Sequence, residues 1–203
     1  MRPSEPKPLK RSAGLRIVGG SHRGRRLIAP PGEAVRPTSD RAREALFNIL
    51  SHGDFAAAGL MFAEQPVLDA FAGTGAYGLE ALSRGAGRAV FIESDREALA
   101  ALRRNVAALG EGERAYIVAG DATRPPRAGF ACALAFLDPP YRSGVAPPAL
   151  SALADAGWLT PDALAVIEVA AREALSAPAG FAIIDERTYG AARLVILRRE
   201  RAP

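Results

Sequence analysis

The 203-residue chain predicts an α/β fold: a seven-stranded, mostly parallel sheet flanked by helices, with an antiparallel hairpin at its C-terminal end. Three observations carry that prediction. From Pro66 onward, short apolar runs alternate with segments of helical periodicity, the pattern of parallel strands joined by right-handed crossovers. A glycine-rich turn, Gly73-x-Gly75-x-x-Gly78, separates the first apolar run from the first helical segment, where a strand must pass tightly into a helix. The last two apolar runs are joined only by Arg187-Thr188-Tyr189-Gly190, too short for a crossover, so they pair as a hairpin.

The elements follow in order. Residues 1–13, with Pro3, Pro6, Pro8 and several charges, read as a disordered arm. Leu15–Val18 and Arg25–Ala29 are strand-like runs joined through Gly19–Gly24, which predicts a small basic hairpin. Arg36-Pro37-Thr38-Ser39-Asp40 places a capping hydroxyl and an acid before Ala42, Ala45, Leu46, Ile49 and Leu50, which recur at helical spacing. Residues 14–53 are therefore expected to form a basic hairpin-and-helix module ahead of a main domain over 54–203. In that domain the strands are expected at Val67–Phe71, Arg88–Glu93, Ala115–Ala119, Cys132–Leu137, Ala163–Val169, Phe181–Glu186 and Ala191–Arg198, with helices over Gly75–Arg84 and Arg96–Leu109.

Composition excludes several function classes. At 49% hydrophobic and 24% charged, the chain has the make-up of an ordinary globular domain. It lacks the roughly 20 uninterrupted apolar residues of a membrane span, and Met1–Lys10 has no signal-peptide core, so a cytoplasmic protein with no membrane partner is expected. The single Cys132 cannot form an internal disulfide and reads as a buried strand thiol. His22 and His52 stand far apart with no cysteine cluster beside either, which leaves no metal site. No apolar heptad or large apolar face calls for a partner copy, so a monomer is expected.

Charge is unevenly spread. Residues 1–43 hold eleven Lys or Arg against Glu5, Glu33 and Asp40, a balance of +8, which leaves −4 for the rest of a chain whose total is +4. Compositional bias explains why 24 of the 26 basic residues are arginine, but not why they cluster. Such asymmetry is the footprint of a phosphate-rich partner. Arg23, Arg25, Arg26, Arg36, Arg41 and Arg43 are the candidate RNA contacts.

Asp69, Phe71, Gly73, Thr74, Gly75 and Gly78 form the candidate cofactor loop. Glycines there would let the backbone approach a ligand, and the amino terminus of the helix offers free N–H groups to an anionic group. Glu93, twenty residues after Gly73, ends the second strand, where a carboxylate can accept both hydroxyl protons of a ribose. Ser94 adjoins it, and Gly120, Asp121 and Ala122 follow the third strand, with Asp121 placed for an adenine amino group. A nicotinamide dinucleotide, S-adenosylmethionine and a purely structural turn all fit the glycine pattern. The Gly120-Asp121 turn and the lack of a second domain for a hydride acceptor favour S-adenosylmethionine.

Asp138-Pro139-Pro140-Tyr141 follows the fourth apolar run, at the carboxyl end of a strand. Consecutive prolines stiffen the loop, so a carboxylate and a fixed carbonyl can both accept from one amine. An aromatic amine is a poor nucleophile because its lone pair is delocalised; two acceptors on its hydrogens favour a pyramidal nitrogen. Tyr141 can stack on a base, worth about 1–3 kcal/mol. Holding amine and methyl group in line supplies up to roughly 7–11 kcal/mol of the barrier. The same tetrapeptide could instead be a stiff turn with its ring covering the core.

The chain resembles the Rossmann-like class I S-adenosylmethionine-dependent methyltransferases. Arg16-Ile17-Val18-Gly19-Gly20, Arg23-Gly24-Arg25 and the run from Arg36 to Asn48, taken with the two motifs above, are similar to the bacterial 16S rRNA guanine-N2 methyltransferases that act on guanine 966. The similarity runs from about Leu15 to Arg198. It implies methylation of a guanine N2 in the small ribosomal subunit or its assembly intermediate, with S-adenosylmethionine as donor, Asp69, Gly73 and Gly75 in the cofactor loop, Glu93 at the ribose, Asp121 at the adenine and Asp138–Tyr141 as the catalytic loop. Two other functions compete: a DNA adenine-N6 methyltransferase, and a ribosome-assembly factor that binds RNA without catalysis.

Overall fold

The computed structural model describes residues 15–30, 38–51 and 64–201. The expected arm over 1–13 and Arg36 lie outside them. Seven strands, β1 (Pro66–Ala70), β2 (Arg88–Glu93), β3 (Ala115–Ala119), β4 (Cys132–Leu137), β5 (Leu159–Ala170), β6 (Phe181–Tyr189) and β7 (Ala192–Arg199), form one sheet in the order β3-β2-β1-β4-β5-β7-β6. Strands β1 to β5 pair in parallel, and β7 runs antiparallel to both β5 and β6. The winding reverses between β1 and β4, where doubly wound sheets open a crevice beyond the carboxyl ends of their strands.

Four helices lie among the described residues: α1 (Thr38–Leu50), α2 (Ala76–Ser83), α3 (Arg96–Leu109) and α4 (Ala146–Asp155). The central strands are buried on both faces, which is why they read as nearly continuous apolar runs. Val67, Phe91, Phe136 and Val166 pack beneath Leu46, Phe47, Leu79 and Leu102 from α1 to α3. On the other face Leu68, Val90 and Ile167 meet Leu150, Leu153 and Trp158. Helix α3 shows how local sequence sets an element: Asp95 accepts from the N–H groups of Glu97 and Ala98 at its start, and Gly110 closes it at φ 73°.

Helix α4 is an element that the sequence pattern does not reveal. Prolines open its first turn, where their fixed φ and missing N–H cost nothing. The proline-rich segment before β4 stays irregular, and its backbone is satisfied by neighbours: Trp158 Nε1 donates to the Pro126 carbonyl at 2.8 Å, and the Ala128 N–H to the Ala156 carbonyl at 2.9 Å.

The expected N-terminal hairpin is present in short form: the antiparallel Arg16–Arg26 bridge is flanked by bonds from the Ile17 N–H to the Arg25 carbonyl at 2.9 Å, and from the Gly24 and Leu27 N–H groups to the Ile17 and Leu15 carbonyls, both at 2.8 Å. The hairpin is also tied to α2. Ser21 N–H donates to the Ser83 carbonyl at 2.7 Å, His22 N–H to Ser83 Oγ at 2.9 Å, and Val18 N–H to the buried Glu80 carboxylate at 2.7 Å.

Candidate functional site

The last paired residues of β1 and β4 are Ala70 and Leu137, so Phe71 and Asp138 leave the sheet side by side, one strand spacing of about 4.8 Å apart. The backbone leaves both strands under constraint: Phe71 sits at φ 61°, and Arg142, just after Tyr141, at φ 59°. Left-handed conformations in such residues are uncommon and concentrate at functional loops.

On the β1 side, the three glycines do different things. A Cβ at Gly73 would meet open space, whereas one at Gly75 would lie 2.4 Å from Leu102 Cδ1 and one at Gly78 2.3 Å from Phe91 Cε1. Only Gly73 therefore presents its backbone outward for a ligand. Gly75 and Gly78 are small because the core presses against them, which corrects the expectation that all three clear space for a cofactor. Asp69 is also turned inward: it is 1% exposed, and its Oδ2 accepts from the Gly78 N–H at 2.8 Å. Thr74 and Ala122 are buried as well. These residues shape the loop from beneath.

Glu93 faces the loop. Its Oε2 accepts from the Gly73 N–H and its Oε1 from the N–H groups of Ser94 and Asp95, all at 2.7 Å. Asp95 is occupied as the α3 cap, so Glu93 is the acid at the end of β2 that borders the outward-facing glycine. The Gly120 N–H donates to the Glu93 carbonyl at 2.9 Å. Asp121 closes a turn, its Oδ1 accepting from Thr123 N–H at 2.8 Å and Oγ1 at 2.7 Å. Those bonds, the hydroxyl's first, hold its carboxyl below the usual range.

Burial pushes the Asp69 carboxyl up to about 8; the nearby Glu93 charge adds to this, and the Gly78 N–H and Arg43 oppose it. The folded protein thus keeps a proton that the unfolded chain releases above an ordinary value of 3.8. Its stabilising contribution is complete below that value and is lost as pH rises through about 8. Asp69→Asn, a neutral near-isostere, should lack this loss. Denaturant melts from pH 4 to 9 are expected to show the variant gaining on the wild type as pH rises; parallel curves would contradict the assignment.

On the β4 side, Asp138 and Tyr141 are half-buried, Pro139 is buried and Pro140 exposed. Behind them opens a cavity of about 280 Å³, bordered by Pro139, Pro140, Tyr141, Glu168 and the segment from Glu173 to Pro178. The walls are mostly apolar side chains, with carboxylates at Glu168 and Glu173.

Two site residues, Glu168 and Tyr77, are not among those the sequence motifs single out. Glu168, 6% exposed, accepts from Tyr77 Oη at 2.6 Å and Tyr141 Oη at 2.7 Å. Tyr77 stacks on Phe136 at 5.2 Å. The available signal was the lone acid in the apolar run Ala165-Val166-Ile167-Glu168-Val169, since an isolated charge in a buried strand needs a reason.

The candidate RNA contacts separate. Arg23, Arg25, Arg26 and Arg41 are exposed. Arg43 is not: it is 1% exposed, bonded to the Arg16 carbonyl and to Asp40 Oδ1 and 3.8 Å from Glu80 Oε2. It ties α1 to the N-terminal segment, which corrects its assignment as a phosphate contact. Arg25 Nη2 reaches the Ala108 carbonyl at 2.8 Å, at the far end of α3 from Glu93. Ala108 lies about one turn beyond Asn105 on α3, and Asn105 bonds the glycine loop, so the basic turn and that loop pack against neighbouring turns of one helix. The two are linked through Asn105, which accepts from the Ile28 N–H at 2.7 Å and donates to the Thr74 carbonyl at 3.0 Å. Among the described residues no cluster of acids, histidines and cysteine could hold a metal, and no helix is long and apolar enough to cross a membrane. Cys132 is buried in β4, its thiol pushed up to about 12 by burial.

Residues 15–198 match the family described as Conserved hypothetical protein 95. The chain is 36% identical over 190 residues to the ribosomal RNA small subunit methyltransferase D of Escherichia coli strain K12, covering 93% of this chain and 92% of that one. It is 34% identical to the protein of the same name from Haemophilus influenzae, covering 87% and 89%. Among solved structures, yhhF from Escherichia coli superposes with a TM-score of 0.77 at 37% identity, covering 92% of this chain and 98% of the other.

Proposed function

We infer that the chain, which belongs to the Conserved hypothetical protein 95 family and is an rRNA methyltransferase of the class I fold, uses S-adenosylmethionine to methylate the exocyclic N2 of a guanine, position 966 by family resemblance, in 16S rRNA of the small ribosomal subunit or its assembly intermediate. The observation that carries this reading is the adjacency of the β1 and β4 ends. It supports reading the two loops as the cofactor and amine-accepting walls of one crevice.

The residues fit the donor. The outward face of Gly73, the Glu93 carboxylate beside it and the Gly120-Asp121 turn line one side of the crevice, in the order that a methionine tail, a ribose and an adenine would need. S-adenosylmethionine supplies a methyl group on a sulfonium that departs as a neutral thioether, so no strong general acid is required. Asp138 and a proline carbonyl accept the two amine hydrogens and orient the lone pair, and Asp138 takes up the surplus proton after transfer. Tyr141 stacks on the extruded base and restores part of the few kcal/mol of stacking that extrusion costs. Buried Pro139 and the apolar cavity walls keep water from competing for the methyl group.

Arg23, Arg25, Arg26 and Arg41, all exposed, grip rRNA phosphates. The protein acts as a cytoplasmic monomer. Tritium transfer from labelled cofactor to purified small ribosomal particles, followed by nucleoside analysis, tests the reading: label in N2-methylguanosine is expected. No transfer to the particles, or label in N6-methyladenosine when DNA is offered instead, would replace it. Arg23→Ala with Arg25→Ala should weaken RNA binding and reduce the slope of log affinity against log salt by about 0.7–0.9 for each phosphate left without its arginine. An unchanged slope would remove the turn from the interface.

A further inference from the structure

We propose that Glu168 is a positioning residue for methyl transfer: its carboxylate clasps Tyr77 on the cofactor helix and Tyr141 on the acceptor loop, and so fixes the ring on which the target base stacks. The proposal rests on the reading of Asp138–Tyr141 as the acceptor loop. Its structural basis is specific. Glu168 lies on the same face of β5 as Val166, because side chains alternate along a strand, and it therefore points toward α2. There it meets Tyr77, whose ring is held parallel to Phe136 at 5.2 Å. The hydroxyl of Tyr77 donates to one carboxylate oxygen at 2.6 Å and that of Tyr141 to the other at 2.7 Å.

The arrangement is costly unless it does something. A carboxylate only 6% exposed must be compensated, and two phenolic donors, one per oxygen, provide this. Burial and the Glu168 charge both push the Tyr77 hydroxyl well above its ordinary range, so it stays a donor. Tyr141, by contrast, sits at the mouth of the 280 Å³ cavity on a loop whose next residue has φ 59°. The clasp restrains the two side-chain torsions of its ring. The carboxylate holds the aromatic as a platform and registers that platform against the helix that opens the cofactor site.

Three variants separate positioning from simple support. Tyr141→Phe keeps the stacking ring and deletes its bond to Glu168; Tyr77→Phe deletes the other bond, on the cofactor helix; Glu168→Gln keeps the shape and one acceptor oxygen. For the two phenylalanine variants kcat is expected to fall roughly tenfold, the scale of one charge-assisted hydrogen bond, with cofactor Kd by calorimetry within about twofold of wild type. Because both tyrosines act through one carboxylate, the double variant should be little worse than the poorer single one. Glu168→Gln should fall between wild type and Glu168→Ala. Unchanged kcat in folded Tyr141→Phe and Glu168→Gln, losses that multiply in the double variant, or losses that track cofactor Kd would overturn the proposal. Asp138→Ala run in parallel distinguishes the failures: if it retains activity, the acceptor-loop reading fails; if it is inactive while the clasp variants are normal, the clasp alone fails.

Discussion

Asp138→Ala is expected to lower methyl transfer by at least about 100-fold, the scale seen when a positioned proton acceptor or an electrostatic contact at the reacting centre is removed, while leaving cofactor affinity within about twofold. The two effects separate because the loops have independent supports. The cofactor side is built by β1 and β2: Gly73 is held by Glu93 and the start of α2 by Asp69. Asp138 lies at the end of β4 and is not among those supports. Its removal deletes one of the two acceptors that hold the amine pyramidal and leaves the sheet intact. Calorimetry with the cofactor product, beside single-turnover methylation, reads both quantities; lost affinity with intact transfer would reverse the assigned role.

Gly75→Ala should fail at the other loop and for the opposite reason. The residue sits at φ 82° as the cap of α2, a conformation that costs an L-residue about 1–2 kcal/mol. Its new Cβ would lie 2.4 Å from Leu102 Cδ1 and 3.2 Å from both Leu79 Cδ1 and Phe91 Cε1. All three neighbours are buried with almost no exposure, so none can turn away into solvent, and overpacking adds about 1–3 kcal/mol. The expected result is a folded protein destabilised by about 2–5 kcal/mol, with cofactor affinity reduced at least about tenfold because the Gly73 backbone is displaced. A variant with wild-type melting and affinity would show that the loop tolerates a side chain there.

The alternation of strands and helices, the terminal hairpin and both loops were legible because each rests on local chemistry: apolar period, glycine at a tight turn, proline after a strand. What the sequence concealed was tertiary. Arg43 looks like its exposed neighbours in a basic run, and only the packing of α1 against Glu80 shows that it is internal. Gly75 and Gly78 look like ligand-facing glycines, and only the positions of Leu102 and Phe91 show that they face the core. The docking of the N-terminal hairpin onto α2, through Val18 and His22, is likewise visible only in the structure. Helix α4 was obscured by prolines that belong to its first turn, and Glu168 by the distance in sequence from both its tyrosines.

The central claim is that the crevice between β1 and β4 joins a methyl donor to the exocyclic amine of one guanine. Nucleoside mass spectrometry of small-subunit rRNA from cells lacking this protein tests it most directly. Loss of N2-methylguanosine at a single site, restored by the wild-type chain and not by Asp138→Ala, is the expected result. An unchanged complement of N2-methylguanosine would contradict it.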